Sequence, residues 1–377
     1  MKKNIYSLIA CFFLFSGVFA QRTIVVTNST AMVRKGEIVE VKANALKACF
    51  KSKSYILKND KGEEIPYQLL YNESKKPRVL IFQADVNPNA SSTYTLSEGK
   101  PAPVQPRTSA RFVPERKDDF AWENDLAAYR MYGPALANEN PSNGVDLWLK
   151  RTNKLIVDTF YYNELKKEQS YHIDHGNGLD CYKVGHTLGA GGIAPYMGDS
   201  LWVGNYFNSY RVLENGPLRA VFSLTYDSVK VDKVFYKQVI TITTSAGSLL
   251  NKAVVQLIGK KQPIKLAAGI FLHDGKGSSL KEDETNGVIA YAENAVSDAG
   301  VPSGRNYIGV YIPDSQTKSI KSDAHILLLA DYKVGKEFTY YFGGGWSKWG
   351  FKTDADWFNA LNHFTETIRN PLKVTLK

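Results

Sequence analysis

The sequence predicts an all-β protein: a small N-terminal β-sandwich, then a large antiparallel β-sandwich with one packed helix near the C-terminus. Three observations carry this reading. Short alternating apolar runs separated by turn residues recur along nearly the whole chain. No βαβ rhythm interrupts them, which excludes Rossmann and TIM architectures. One helical stripe stands out near the end, where Trp357, Phe358, Leu361, Phe364 and Ile368 share a face, Thr353 or Asp354 can cap the start, and Pro371 follows the close.

The first segment, 1–20, reads as an export signal. Lys2 and Lys3 precede an apolar run over 5–19, and Ala20 offers a small residue at the cut before Gln21. That run is shorter than the roughly 20 residues needed to cross a bilayer, and no second one follows, so an exported, periplasmic or extracellular protein without stable membrane insertion is expected. Removing it takes the net charge from +10 to +8. A composition that is 44% hydrophobic and 22% charged excludes a disordered chain, a collagen and a coiled coil. Cys49 and Cys181 remain after cleavage, enough for one optional disulfide and too few for a cysteine zinc site.

Strand runs at 23–26, 38–41, 78–84 and 93–96, punctuated by Lys35-Gly36, Lys61-Gly62 and Pro88-Asn89, define the small sandwich over 21–105. Three prolines in 100–107 form a stiff linker. The second domain, 106–377, continues with runs at 145–150, 220–226, 233–244, 254–258, 265–272, 307–312 and 337–342.

Chemistry concentrates in the window 171–196, YHIDHGNGLDCYKVGHTLGAGGIAPY. It holds His172, His175 and His186, together with Asp174, Asp180 and six glycines. Glycine at that density lets backbone approach a ligand, or simply builds a turn-rich loop. Gly189-Ala190-Gly191-Gly192 lacks the Lys-Ser/Thr of a phosphate loop, so a nucleotide site is discarded. His172, Asp174 and His175 offer weak metal ligands, leaving either no cofactor or one divalent ion.

A second window, FAWENDLAAYRMYGPAL at 120–136, is read as one strand that places Trp122, Arg130 and Tyr132 on a common face and Asp125 on the other. A guanidinium can grip a carboxylate and an aromatic can support a sugar ring, or the arginine can belong to a structural ion network. Trp346 and Lys348 follow three glycines, which favours a close approach by something flat. His273 ends an apolar strand before Asp274-Gly275, a position suited to proton transfer, whereas His325 and His363 read as packing residues.

On FAWENDLAAYRMYGPAL, YHIDHGNGLDCYKVGHTLGAGG, Glu214-Asn-Gly-Pro-Leu-Arg219 and Gly343-Gly-Gly-Trp-Ser-Lys348, the chain resembles a family of unknown function common in polysaccharide-utilisation loci of marine and gut Bacteroidetes. Its strand order is similar to the galactose-mutarotase-like supersandwich, which hosts epimerases, glycosidases and lyases. It departs from a mutarotase in lacking an evident matching catalytic glutamate. The resemblance implies an oligosaccharide dehydratase of the ulvan type, which removes water from a terminal uronic acid to leave a 4,5-unsaturated sugar.

That reaction needs the substrate carboxylate neutralised, the C5 proton removed and the departing hydroxyl protonated. Arg130 or a metal is assigned the first task, and His172 or His175 the second. Tyr171 or another histidine takes the third, and His186 or His273 is the reserve base. Trp122, Asp125, Tyr132, Trp346 and Lys348 complete the substrate site. The basic charge suits an anionic oligosaccharide and no nucleic-acid motif is present, while the oligomeric state stays open. The same parts serve a polysaccharide lyase. A noncatalytic binding protein is the third reading, resting on Trp122, Trp346 and Trp349 as an exposed platform, and a glycosidase using Asp125 and Asp180 the fourth.

Overall fold

A computed structural model describes residues 21–46, 54–71, 75–138, 144–273, 275–313 and 316–377. The segment 1–20 expected to be an export signal, Cys49 and Asp274 lie outside them, and among the described residues no helix is long and apolar enough to cross a membrane. The protein is mostly strand. The small sandwich packs a four-stranded sheet against a three-stranded one. Its core is built by the inward positions of alternating strands, among them Ile24, Val26, Leu80, Phe82 and Leu96. Strand Lys373–Leu376 joins this sheet by pairing with Gln21–Asn28, Ile24 opposite Leu376. The expected second domain of 106–377 is therefore corrected at its end: the chain returns to the first sandwich, because the edge of Gln21–Asn28 needs a partner.

The large domain faces an eight-stranded sheet against two five-stranded ones. The eight run in the order Ser209–Asn215, Arg219–Val231, Val234–Ser245, Asn251–Ile258, Phe338–Trp346, Pro302–Tyr311, Val288–Val296 and Ser279–Asp283. The two smaller sheets meet at Val145 and Gly189, where the amide of Ala190 donates to the Val145 carbonyl at 2.8 Å. A Cβ on Gly189 would lie 2.2 Å from that oxygen, and φ there is +62°, so only glycine makes this joint. One apolar core fills the space between the layers. The helix Asp354–Arg369, N-capped by Thr353 in a capping box with Asp356, covers the outer face of the large sheet with Trp357 and Leu361.

Three local expectations are overturned. The first is that 120–136 is one strand. It is a hairpin, Asp119–Asn124 and Ala127–Met131, turning at Asp125 and Leu126. The turn changes the facing: Trp122 pairs with Tyr129 in the sandwich core, while Arg130 pairs with Ala121 on the opposite face. The second is that the chain has only one helix of note. Val157–Lys167 is a further helix, laid over that opposite face with Phe160 and Tyr161 inward.

The third concerns Gly343, Gly344 and Gly345, whose flat neighbour is the protein itself. A Cβ at Gly344 would meet Leu147 Cδ2 at 2.4 Å, and one at Gly345 would meet Phe351 Cε2 at 2.7 Å.

Candidate functional site

The sheet face under the helix Val157–Lys167 is charged, and it sets the floor of the site. Arg130 is 2% exposed. Its Nε donates to Asp146 Oδ2 at 2.9 Å, one terminal nitrogen donates to Tyr171 Oη at 3.1 Å, and the other to Asp180 Oδ2 at 2.8 Å and Tyr132 Oη at 3.2 Å. The rings of Tyr132 and Trp148 lie 4.6 and 5.1 Å from the guanidinium carbon. Every nitrogen is thus committed to the protein, and the expected grip on a substrate carboxylate is corrected to a structural ion network.

Three carboxylates surround this cation, and burial raises the proton affinity of two. Burial pushes Asp119 up to about 6 although Arg130 and Arg116 pull it back. Asp180 is raised well above the carboxylate range by burial and by the charge of Asp146.

Asp180 leads into the window 180–183, which ties the floor to the rim. His172 sits half-buried above it, with Nδ1 3.0 Å from the Asp180 carbonyl, 3.7 Å from Asp180 Oδ2 and 3.5 Å from Asp298 Oδ2. An acceptor carbonyl at that distance fixes the Nδ1–H tautomer and leaves Nε2 as the basic nitrogen. Asp298 also accepts from Lys183 Nζ at 2.7 Å, and the lysine side chain is 68% exposed. Asp298 thus links His172 to an exposed cation at the surface.

His273 meets the backbone of Lys183. Its Nδ1 contacts Glu293 Oε2 and Oε1 at 2.9 and 3.1 Å, and its Nε2 lies 2.6 Å from the Lys183 carbonyl. Both nitrogens face acceptors only, so the ring is held as an imidazolium. Burial lowers its proton affinity, but the hydrogen bond and charge of Glu293 outweigh that and the net shift is upward. This corrects the reading of His273 as a base. Glu293, Asn306 and Trp346 form a cross-strand row on the inner face of the large sheet, with Asn306 Nδ2 donating to Glu293 Oε1 at 3.3 Å. Cys181 is buried with its thiol toward Asn306.

The other expected residues scatter. Tyr171 is buried, its ring stacked on Trp148 and its hydroxyl also taking Arg116 Nε at 3.3 Å. His175 is exposed with Nε2 3.0 Å from the Ser170 carbonyl, and His186 is exposed on a bend. Asp174 accepts from the Gly176 amide at 2.8 Å and pairs with Arg151 at 3.3 Å, so it closes a turn. The metal triad His172, Asp174 and His175 is therefore not assembled, and among the described residues no group of three such side chains could hold an ion.

Asp125, read as part of the substrate site, instead lies at the hairpin turn, held by Arg107 and the Gly247 amide. Trp122 and Trp346 are buried, the latter donating Nε1 to the Ser303 carbonyl at 2.6 Å. Of the proposed aromatic platform only Trp349 is exposed, with Lys348 close by over the Trp346 ring.

Lys183, Asp298, Glu293 and Asn306 were not singled out from sequence. The signal available was a polar residue at an inward position: in VIAYAENAV, Ile289, Tyr291 and Ala295 point into the core, and Glu293 shares their parity. His325, expected to pack, does so with chemistry: Nε2 accepts from the Leu188 amide at 3.0 Å and Nδ1 donates to the Asp323 carbonyl.

A protein in the glycosyl hydrolase family 38 from Enterococcus faecalis superposes with a TM-score of 0.53 and 8% identity, over 96% of this chain and 48% of its own. The chain thus spans about half the length of that protein. At this identity the likeness shows the sandwich fold alone. An alpha-mannosidase from Enterococcus faecalis V583 gives a TM-score of 0.47 at 8% identity over 95% of this chain and 46% of its own. An uncharacterized protein, P7, from Formosa agariphila is 30% identical over 317 residues, 79% of this chain and 78% of that one. The model of the domain of unknown function DUF4861 matches residues 26–374, and the chain belongs to that family.

Proposed function

We propose that this protein is an exported carbohydrate-active lyase of the dehydratase kind, eliminating water across C4 and C5 of a terminal uronic acid on an anionic, ulvan-type oligosaccharide. The observation that carries the reading is the orientation of His172. Its Nδ1 is fixed on the Asp180 carbonyl, Nε2 is the basic nitrogen at a partly open surface, and Asp298 stands by to stabilise the imidazolium. Lys183, exposed and adjacent through Asp298, replaces Arg130 as the cation for the substrate carboxylate.

In this scheme Nε2 takes the C5 proton, the C–H electron pair forms the C4–C5 double bond, and the C4–O bond breaks. Tyr171 is buried and His175 and His273 are engaged elsewhere, so the His172 imidazolium returns its proton to the departing hydroxyl, which leaves as water. One group serving both faces of the step requires hydrogen and hydroxyl on the same side of the ring. The test is incubation with saturated uronic-acid oligosaccharides, following ultraviolet absorbance of the unsaturated product and mass. Loss of one water without cleavage supports the dehydratase, cleavage into two unsaturated and saturated pieces assigns a polysaccharide lyase, and silence with retained affinity assigns a binding protein.

A further inference from the structure

A groove of about 810 Å³ runs between the small sandwich and the first edge of the eight-stranded sheet. Lys75 and Arg78 come from the small sandwich, and Arg211 and Arg219 from the opposite wall, against one carboxylate among the described lining residues, Glu214. Arg219 is committed to Glu40 and to Ser245 Oγ, and Glu214 accepts from the Tyr71 amide at 2.8 Å, so the wall charges are held in place. Gln68 staples the floor: its Oε1 accepts from the Leu218 and Arg219 amides at 2.9 and 2.8 Å, and its Nε2 donates to the Arg219 carbonyl at 3.0 Å. Tyr71, 46% exposed, and Leu213, 43% exposed, add apolar surface between the cations.

We propose that this groove is a second binding site, for an anionic polysaccharide chain, independent of the His172 cluster. An excess of cations along an open trough attracts a chain that carries a charge on successive units, and an aromatic with an aliphatic neighbour suits the apolar face of a sugar ring. The groove lies on the first three strands of the large sheet, whereas Asp298, which stands beside His172, lies in the turn between the seventh and sixth. At about 4.8 Å per strand the two places are roughly 20 Å apart, so a chain held in the groove leaves the cluster open.

The experiment is affinity electrophoresis of the full chain in gels containing dextran sulfate, polygalacturonate, neutral dextran, or a single-stranded oligonucleotide of mixed sequence. Retardation is expected by at least one of the two acidic polysaccharides, which also tells sulfate from carboxylate recognition, and not by neutral dextran. The double variant K75E/R78E should weaken it more than tenfold at unchanged melting temperature. His172→Ala should retain it fully, which separates failure of this site from failure of the catalytic reading. Exposed lysines outside the groove provide the charge-matched control K166E/K318E. Equal weakening in that control, retention by neutral dextran, equal affinity for the oligonucleotide, or no retardation by either acidic polysaccharide overturns the proposal.

Discussion

Glu123 accepts Lys150 Nζ at 2.8 Å, and both side chains are almost wholly buried. The same carboxylate takes the amides of Ile156 at 2.8 Å and Val157 at 2.9 Å, so it caps the helix Val157–Lys167 from another sheet strand. Burial lowers the proton affinity of Lys150, and Glu123 opposes that shift.

Removing one partner leaves a buried charge without its counter-ion, a loss of about 3–5 kcal/mol. Glu123→Ala should therefore lower the denaturant midpoint sharply and expose the helix to hydrogen exchange. The pair Glu123→Leu with Lys150→Met should recover part of the loss. A single variant with wild-type stability would remove the role given to this pair.

Arg130 variants should fail by unfolding before they fail by chemistry. Arg130→Ala strands Asp119, Asp146 and Asp180 together, and Arg130→Lys keeps the charge but loses the fork that reaches Asp146, Asp180 and Tyr171 at once. Both should melt well below wild type, with Lys the milder. Normal melting with lost turnover would return Arg130 to substrate binding.

His172→Ala should lose about a hundredfold or more in elimination rate while melting near wild type, because its ring is partly exposed and outside the apolar cores. His175→Ala should keep its rate, since that ring faces the Ser170 carbonyl at the surface. Comparable losses in both would show that the loop, not one imidazole, matters.

Two histidines bend the stability curve in opposite directions. Burial depresses His325, whose neutral ring accepts from Leu188, so its contribution is present above the unfolded value of 6.5 and is lost as pH falls below it. His273 is raised net by Glu293 against burial, so its contribution is full below 6.5 and is lost as pH rises through its folded value. His325→Gln should flatten the acid side of a melting-temperature profile, and His273→Gln the neutral-to-alkaline side. A parallel change in both variants would contradict these assignments.

Gly344→Ala places a methyl against Leu147 and 2.6 Å from the Tyr307 carbonyl, and overpacking of this kind costs about 1–3 kcal/mol. Trimming Leu147 to Ala should not rescue it fully, because the backbone oxygen cannot move as a side chain can. The double variant's melting temperature decides this.

What the sequence by itself determined follows from local periodicity. Alternation in 23–26, 38–41 and 220–226 places those strands, and the stripe Trp357, Leu361 and Phe364 with its Thr353 cap places the last helix, because each signal is complete within a few residues. The tertiary structure decided everything that depends on a distant partner. The helix Val157–Lys167 draws its cap from Glu123, 33 residues earlier, so no local start signal marks it. Asp125 turns the strand and sends Trp122 and Arg130 to opposite faces, which reverses the apparent substrate platform. Of the three loop histidines only His172 reaches Asp180 and Asp298, since the register of Gly178–Asp180 on Asp146–Lys150 and the turn before Val301 bring those groups together across more than a hundred residues.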